Sequence, residues 1–229
     1  MNKPESPRAA EILKAVSYFS ALDDAALNLA AQTTIRRVYE AGQVILIEGE
    51  PCAGLYIVES GWLKAVKIGL DGREQVLQTL KPGDVFNGIS VFTDVPNQAS
   101  VSALETSVVW LVPRQVLLKL MDEHPMLARQ VVKELAGRVM YLVRMVEDLS
   151  LRSVEARLAR LLLEQSEGAS VQRRRWATQA EMASRLGTVP DVVNRALRKL
   201  AEGGMIQVER HQIQILDKEG LKSVAQMVE

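Results

Sequence analysis

Three rhythms of apolar residues follow one another along this chain. Between residues 9 and 31, Ile12, Leu13, Val16, Leu22, Leu27 and Leu29 recur without an intervening glycine or proline, a pattern that predicts helix. From about residue 33 the runs shorten, become β-rich and alternate with glycine: Ile35–Tyr39, Val44–Glu48, Leu55–Val58, Trp62–Ile68, Glu74–Leu80, Gln98–Ala103 and Ser107–Val112. Asp71-Gly72 between two of these runs signals a tight hairpin. Short strands at such regular turn spacings predict a jelly-roll-like β-roll.

At Pro113 the rhythm changes again. Pro113–Glu123 reads as a short helix broken at His124-Pro125, and Met126–Leu149 as a long one, of roughly 36 Å at 1.5 Å per residue. Ala128, Val132, Leu135, Val139, Leu142, Val146 and Leu149 are spaced 4, 3, 4, 3, 4, 3 along it. Sustained for three heptads, that is the seam of a two-helix coiled coil. A helix packed on its own β-domain would carry a broader stripe, and this remains the alternative. Val154–Gln165 reads as a further helix, and Gly168–Trp176 as a polar connection containing Arg173-Arg174-Arg175.

Residues 178–200 carry the most information. Thr178 is placed to cap a short helix, with Glu181 completing a capping box. Met182, Ala183 and Leu186 give that helix an inner face, and Gly187 suits the left-handed turn that ends it. Thr188 is expected to cap a second helix, with Asp191 in its capping-box position and Pro190 in the first turn, where a missing N–H costs nothing. Val192, Val193, Ala196, Leu197 and Leu200 face in, while Asp191, Asn194, Arg195, Arg198 and Lys199 face out. Helix, glycine turn and polar-faced helix make a helix-turn-helix. Ile206, Val208, Ile213 and Ile215 then alternate with polar residues around Arg210-His211-Gln212, which predicts a wing. Packing alone would also produce such helices, but caps, turn and polar face agree on DNA reading.

Composition narrows the chemistry. The 229 residues are 48% hydrophobic and 24% charged, ordinary for a folded globular protein. One cysteine, Cys52, and two histidines, His124 and His211, exclude an intrachain disulfide and a four-cysteine iron–sulfur cluster, and leave little for a zinc site. No apolar run approaches the length of a membrane span, and the N-terminus has no apolar signal core; a cytoplasmic protein without membrane contact is expected. The zero net charge conceals an asymmetry: residues 1–112 hold 9 Lys/Arg against 13 Asp/Glu, and residues 151–229 hold 13 against 10. An acidic front and a basic back suggest two jobs. No nucleophile–base–orienter cluster or metal triad is visible, so an enzyme is not expected.

Residue type sets what the second helix could read. The Arg195 fork matches guanine O6 and N7, Asp191 can accept from a cytosine amino group, and Asn194 suits adenine or a phosphate. Thr178, Gln179 and the helix N-termini suit phosphates.

With these elements in place the chain resembles the Crp/Fnr family of bacterial transcription regulators over nearly its whole length. The resemblance implies an α+β architecture: a β-roll (jelly roll) sensor in residues 1–125, a dimerisation helix in 126–150 and a winged helix-turn-helix in 151–229. It implies as partners a palindromic DNA operator, a second copy of the chain and RNA polymerase. The family's recognition helix often carries Arg, Glu, two residues, Ser or Gly, then Arg; here the stretch is Pro190 to Arg195. Asp191 and Arg195 would therefore read bases, and Pro190 cannot supply the guanine contact of an arginine.

The sensor framework also matches, at Gly42, Gly49, Gly61 and Pro82-Gly83-Asp84, but the ligand cassette departs. Cyclic-nucleotide members read Phe-Gly-Glu and then Pro-Arg-x-Ala; here the runs are Phe86-Asn87-Gly88-Ile89-Ser90 and Pro96-Asn97-Gln98-Ala99. Gly88 stands where a carboxylate would hold the ribose, Asn97 where a guanidinium would hold the phosphate, and Leu142-Val143 where a polar pair would meet the base. Control by cyclic AMP is therefore not expected. No cofactor is assigned. The Asp94-x-Pro96-Asn97 run is similar to the nitric-oxide-sensing branch, which leaves haem, with His124 or Cys52 as axial candidates, or another small effector as alternatives. A sensor acting through protein partners is the remaining functional alternative.

Overall fold

The computed structural model describes residues 6–166, 168–172, 177–209 and 211–226. The expected Arg173-Arg174-Arg175 run, Trp176 and Arg210 lie outside these residues. The chain divides into two compact units, one built from residues up to Lys67 and Leu77–Val139, the other from Ile68–Val76 and the residues after Val139.

The first unit begins with helix α1 (Ser6–Ala15), a 3-10 turn (Ser17–Phe19) and α2 (Asp24–Thr33). The single helical stretch expected over residues 9–31 is thus interrupted. The break falls where Asp23 takes an extended conformation and its carboxylate accepts the Ala26 N–H at 2.8 Å, capping α2; a capping side chain starts a new helix rather than continuing an old one.

Eight strands follow: β1 (Ile35–Tyr39), β2 (Val44–Leu46), β3 (Gly54–Ser60), β4 (Leu63–Ile68), β5 (Glu74–Leu80), β6 (Val85–Phe86), β7 (Ser100–Ala103) and β8 (Ser107–Pro113). They form two four-stranded sheets, ordered β1-β8-β3-β6 and β2-β7-β4-β5. This is the expected β-roll. Two-residue β6 and the six-residue helix α3 (Gly88–Thr93) between it and β7 are too short to leave a periodic signal, and the sequence pattern missed both.

Strand β3 is buried on both faces, which accounts for its unbroken apolar run. Tyr56 and Val58 point between the sheets with Leu63, Val101, Val109 and Leu111. Leu55, Ile57 and Trp110 point the other way, into a second core with Leu13, Phe19 and Leu27. That core also takes in helix α4 (Arg114–Glu123) through Leu117 and Leu120, and the start of α5 (Pro125–Leu151) through Leu127 and Val131.

At the rim of this core Glu59 is nearly buried. Its carboxylate accepts the Trp110 indole N–H at 2.6 Å and faces Arg8 and Arg36. Burial alone would raise its pKa, but the indole N–H and the two guanidiniums outweigh that and hold the carboxyl below its ordinary value.

The second unit holds α6 (Val154–Gln165), β9 (Ser170–Gln172), α7 (Gln179–Leu186), α8 (Pro190–Glu202), β10 (Ile206–Val208), β11 (Gln212–Ile215) and α9 (Lys218–Gln226). Ser153 caps α6 through the Ala156 N–H at 3.2 Å. Asp148, near the end of α5, lies 2.8 Å from Arg152 and 3.0 Å from Arg160. Leu158, Leu162, Val193, Leu197, Leu200, Ile213 and Leu221 form the core. The wing is a three-stranded antiparallel sheet, β10-β11-β9, rather than the expected two-stranded hairpin. Part of the supposed polar connection is strand β9, which Val171 anchors by its burial in the core. Among the described residues no helix is long and apolar enough to cross a membrane.

Candidate nucleic-acid interface and sensor pocket

In the helix-turn-helix, the Thr178 hydroxyl accepts the Glu181 N–H at 3.2 Å, as its position in the sequence predicts. Glu181 is itself buried and pairs with Arg185 at 3.3 Å, one turn on. Burial lowers the Arg185 pKa, and the Glu181 carboxylate opposes that shift. Gly187 ends α7 at φ +61°, a left-handed conformation that costs glycine little.

The second cap is a correction. Thr188 spends its backbone N–H on the Ala183 carbonyl at 2.9 Å. The residue at the N-cap of α8 is Val189, with no side-chain cap and with Pro190 at the first helical position. Closing α7 thus takes up one residue more than the sequence spacing suggested, and the cap position shifts with it.

Helix α8 is strongly two-faced. Val193, Ala196, Leu197 and Leu200 are buried, while Asp191, Arg195, Arg198 and Lys199 are exposed. Asn194, Thr188 and Val192 are half-buried, and Thr178 and Gln179 are exposed. The polar face therefore carries two arginines, a lysine and one carboxylate, with donors and acceptors suited to base edges and phosphates.

In the first unit the cassette residues are tied into the framework. Asn87, at φ +69°, begins α3, and its Nδ2 donates to Asn97 Oδ1 and to the Gly54 carbonyl, both at 3.1 Å. Asn97 is 2% exposed. Its Nδ2 donates to the Ile47 carbonyl at 3.2 Å, and its main chain exchanges hydrogen bonds with Gly49 and Glu50. Asn97, expected at the ligand, is thus engaged within the framework: its amide joins the Ile47 carbonyl to Asn87 at the start of α3, and its main chain holds Gly49 and Glu50. Ser90 is likewise buried, donating to the Pro96 carbonyl at 3.1 Å. Gln98 donates to the same carbonyl at 2.8 Å, and Ile89 is exposed.

At Gly88, a Cβ would point to Phe92, Tyr18 and Leu55, 3.5 Å from the Tyr18 hydroxyl. Tyr18 was not singled out by the sequence pattern. Burial and the nearby Glu134 carboxylate push its pKa to about 12, so the phenol is neutral across the physiological range. A cleft of about 450 Å³, lined by Cys52, Asp94 and Arg114 among others, was also not foreseen. Arg114 is fixed there by the Val91 carbonyl at 2.9 Å and Asp94 at 3.0 Å. The Cys52 thiol lies beside Asn87, and burial raises its pKa. His124 closes the end of α4 through its backbone. Among the described residues no three His, Cys, Asp or Glu side chains gather to hold a metal ion.

The α5 seam also differs in phase. Leu135, expected in the seam, packs against the core of the first unit. Leu149 lies beside the Gly187 turn, where a Cβ would come within 2.9 Å of its Cδ2. Ala128 and Leu142 are half-buried. The exposed line runs instead through Val132, Ala136, Val139, Val143 and Val146, still at spacings of 4, 3, 4, 3. Val143, placed in the effector pocket on sequence grounds, thus joins the open stripe.

Family models match both halves of this arrangement: a cyclic nucleotide-binding domain over residues 36–124 and a Crp-like helix-turn-helix domain over residues 156–224. The chain belongs to the Crp/Fnr family of transcription regulators. Among Crp/Fnr relatives, it is 28% identical over 217 residues to the CRP-like cAMP-activated global transcriptional regulator of Mycobacterium tuberculosis, covering 92% of this chain and 97% of that one. It is 28% identical to the cyclic AMP receptor protein of Thermus thermophilus, covering 93% and 98%. The fold matches that of FixK2 from Bradyrhizobium japonicum with a TM-score of 0.76 at 23% identity, over 86% of this chain and 99% of that one.

Proposed function

We propose that this Crp/Fnr regulator works as a homodimer on a palindromic operator, and that cyclic AMP does not switch it. The observation that carries the DNA-reading part is α8, which buries Val193, Leu197 and Leu200 and leaves Asp191, Arg195 and Arg198 on one open face. That is the geometry of a helix seated in the major groove. Arg195 is the guanine reader, Asp191 accepts from cytosine, Asn194 and Arg198 contribute from the same helix, and Thr178, Gln179 and Thr188 lie toward the phosphates.

Dimerisation is supported by the exposed line from Val132 to Val146, an apolar heptad stripe that a monomer leaves in water. Two-fold symmetry then demands half-sites about one helical turn apart. RNA polymerase is the partner through which such a regulator would act.

The two cyclic-AMP relatives favour a nucleotide sensor, but the cassette of this chain favours another effector or none. Asn97 brings no charge and its amide is engaged within the framework, while Gly88 brings no acceptor. An anion buried without a compensating cation loses hydration and gains little in return.

Selection from random duplexes by the full-length chain tests the function, followed by affinity measurements across salt concentrations. The expected result is a palindrome, bound with log affinity falling about 0.9 per phosphate neutralised for each decade of salt. A chain that selects no sequence and binds without salt dependence is not this regulator.

A further inference from the structure

The start of α8 breaks a local rule. Serine, threonine, aspartate and asparagine are favoured at a helix N-cap, and valine is among the poorest choices. Thr188 stands one residue away, yet Val189 takes the cap position, in extended conformation and without a side-chain cap. Val189 is 43% exposed although apolar, and Pro190 beside it is also exposed. Neither side chain can donate or accept a hydrogen bond. Both lie at the leading end of the helix whose first turn carries Asp191 and whose second carries Arg195. Where sequence-level rules fail locally, a functional constraint is the first explanation to test.

We propose that Val189 and Pro190 form an apolar reader of a thymine 5-methyl group, so that each half-site carries a T·A pair facing the start of α8. This rests on the DNA-reading role of α8 argued above. The reasoning is one of matching groups. In the major groove guanine, adenine and cytosine present polar edges, whereas thymine adds a methyl group beside its carbonyl. A cytosine amino group or a purine edge pressed against valine and proline would lose water without a replacement partner. A thymine methyl in the same place loses only water it holds weakly, and gains burial. Proline at the first helical position also removes an N–H that could otherwise have bound an acceptor there. Asp191 and Arg195 then specify neighbouring pairs through hydrogen bonds. Val189 and Arg195 are six residues apart. At 1.5 Å of rise per residue, the methyl falls within about three base pairs of the pair that Arg195 selects.

Deoxyuridine is thymidine without that methyl, so it isolates the contact without altering pairing. The full-length chain is first used to select an operator from random duplexes; each thymine of that operator is then replaced singly by deoxyuridine. One position per half-site should weaken binding about fourfold, and replacement in both half-sites about fifteenfold, the worth of one buried methyl group each. The Val189→Ser/Pro190→Ser double variant should lose this penalty while keeping the base preference that depends on Arg195. Serine favours a helix start, so this variant should melt no earlier than the parent, and loss of α8 would not explain the result. An operator whose every thymine tolerates deoxyuridine overturns the methyl reader and leaves the regulator reading intact. So does a double variant that retains the penalty. A chain that selects no operator overturns both.

Discussion

Asn87 donates its side-chain amide to the Asn97 side-chain carbonyl oxygen at 3.1 Å, so two residues of the ligand cassette that the family resemblance implies satisfy each other. The second amide hydrogen-bonds onward to Ile47, and Asn97 is all but excluded from solvent. This pair therefore acts on stability. Asn97→Leu removes both side-chain links, while the Ile47 carbonyl keeps the Glu50 N–H and Asn87 keeps the Gly54 carbonyl. Each hydrogen bond lost costs about 0.5–1.5 kcal/mol. Thermal unfolding should show a midpoint lower by several degrees, while the folded variant keeps the parent's operator affinity. An Asn97→Leu protein as stable as the parent would show that the amide does not join the turn to α3.

Cyclic AMP follows from the same residues. Titration calorimetry with cyclic AMP and cyclic GMP at millimolar ligand should give no saturable heat, and neither nucleotide should raise operator affinity. The missing charge-assisted hydrogen bonds, at about 1.5–3 kcal/mol each, correspond to orders of magnitude in affinity. Micromolar binding would mean that a cation elsewhere in the first unit neutralises the phosphate.

The α5 stripe gives a test that separates surface from core. Val132, Val139 and Val146 are 66%, 58% and 63% exposed, so Val139→Lys with Val146→Lys should cost the monomer fold little. In a parallel pair the lysines would face each other and displace apolar burial. Sedimentation at micromolar concentration should therefore find a folded monomer. Leu135→Lys should behave differently and destabilise the first unit, because that half-buried side chain packs against its core. A Val139/Val146 double lysine variant that remains dimeric would place the dimer contact elsewhere.

Glu59 sets an acid limit on the first unit. Its folded pKa is held below the ordinary 4.5 by Trp110, Arg8 and Arg36 acting against burial. A group shifted down contributes stability that is fully present above its unfolded value and lost as pH falls through the folded value. Chemical denaturation at pH 7, 5, 4 and 3, followed by tryptophan fluorescence, should show the parent losing stability below about pH 4.5. Glu59→Gln should start less stable at pH 7 and lose less on acidification. Parallel pH profiles for the two proteins would remove Glu59 from the acid transition.

Much of this molecule could be read from periodicity, and the exceptions share physical causes. Strands β1 and β5 and helix α6 have the limits that alternation and turn residues predict, because each is long enough for its own pattern to decide. Strand β6, helix α3 and strand β9 have only two, six and three residues, and their existence depends on partners distant in sequence, as when Val171 sinks into the second core. The heptad phase on α5 was ambiguous because the helix carries two apolar stripes. Leu127, Val131 and Leu135 serve the core and Val132, Val139 and Val146 lie open; spacing alone cannot say which one faces its own domain. Tyr18 at Gly88 had no signal at all, since glycine reveals only what it lacks. The Thr178 cap, in contrast, was legible because its hydrogen bond reaches only three residues along the chain.

Arg195 and Thr178 should fail in different ways, which separates base reading from scaffold. The Arg195 side chain is exposed on α8 with no role in the core, so Arg195→Ala should leave the melting midpoint unchanged. Loss of a bidentate guanine contact costs about 1–3 kcal/mol at the cognate site, or roughly five- to 150-fold in affinity for one half-site. Selection with this variant should show relaxed preference at one base pair per half-site, with binding to non-cognate DNA weakened far less. Thr178→Ala removes the cap of α7, worth about 1 kcal/mol. It should lower the midpoint of the second unit and weaken binding to cognate and non-cognate DNA alike, leaving the selected sequence unaltered. An Arg195→Ala protein that selects the parental operator at every position would mean that this arginine contacts phosphate, and that the guanine of each half-site is read by another residue of α8.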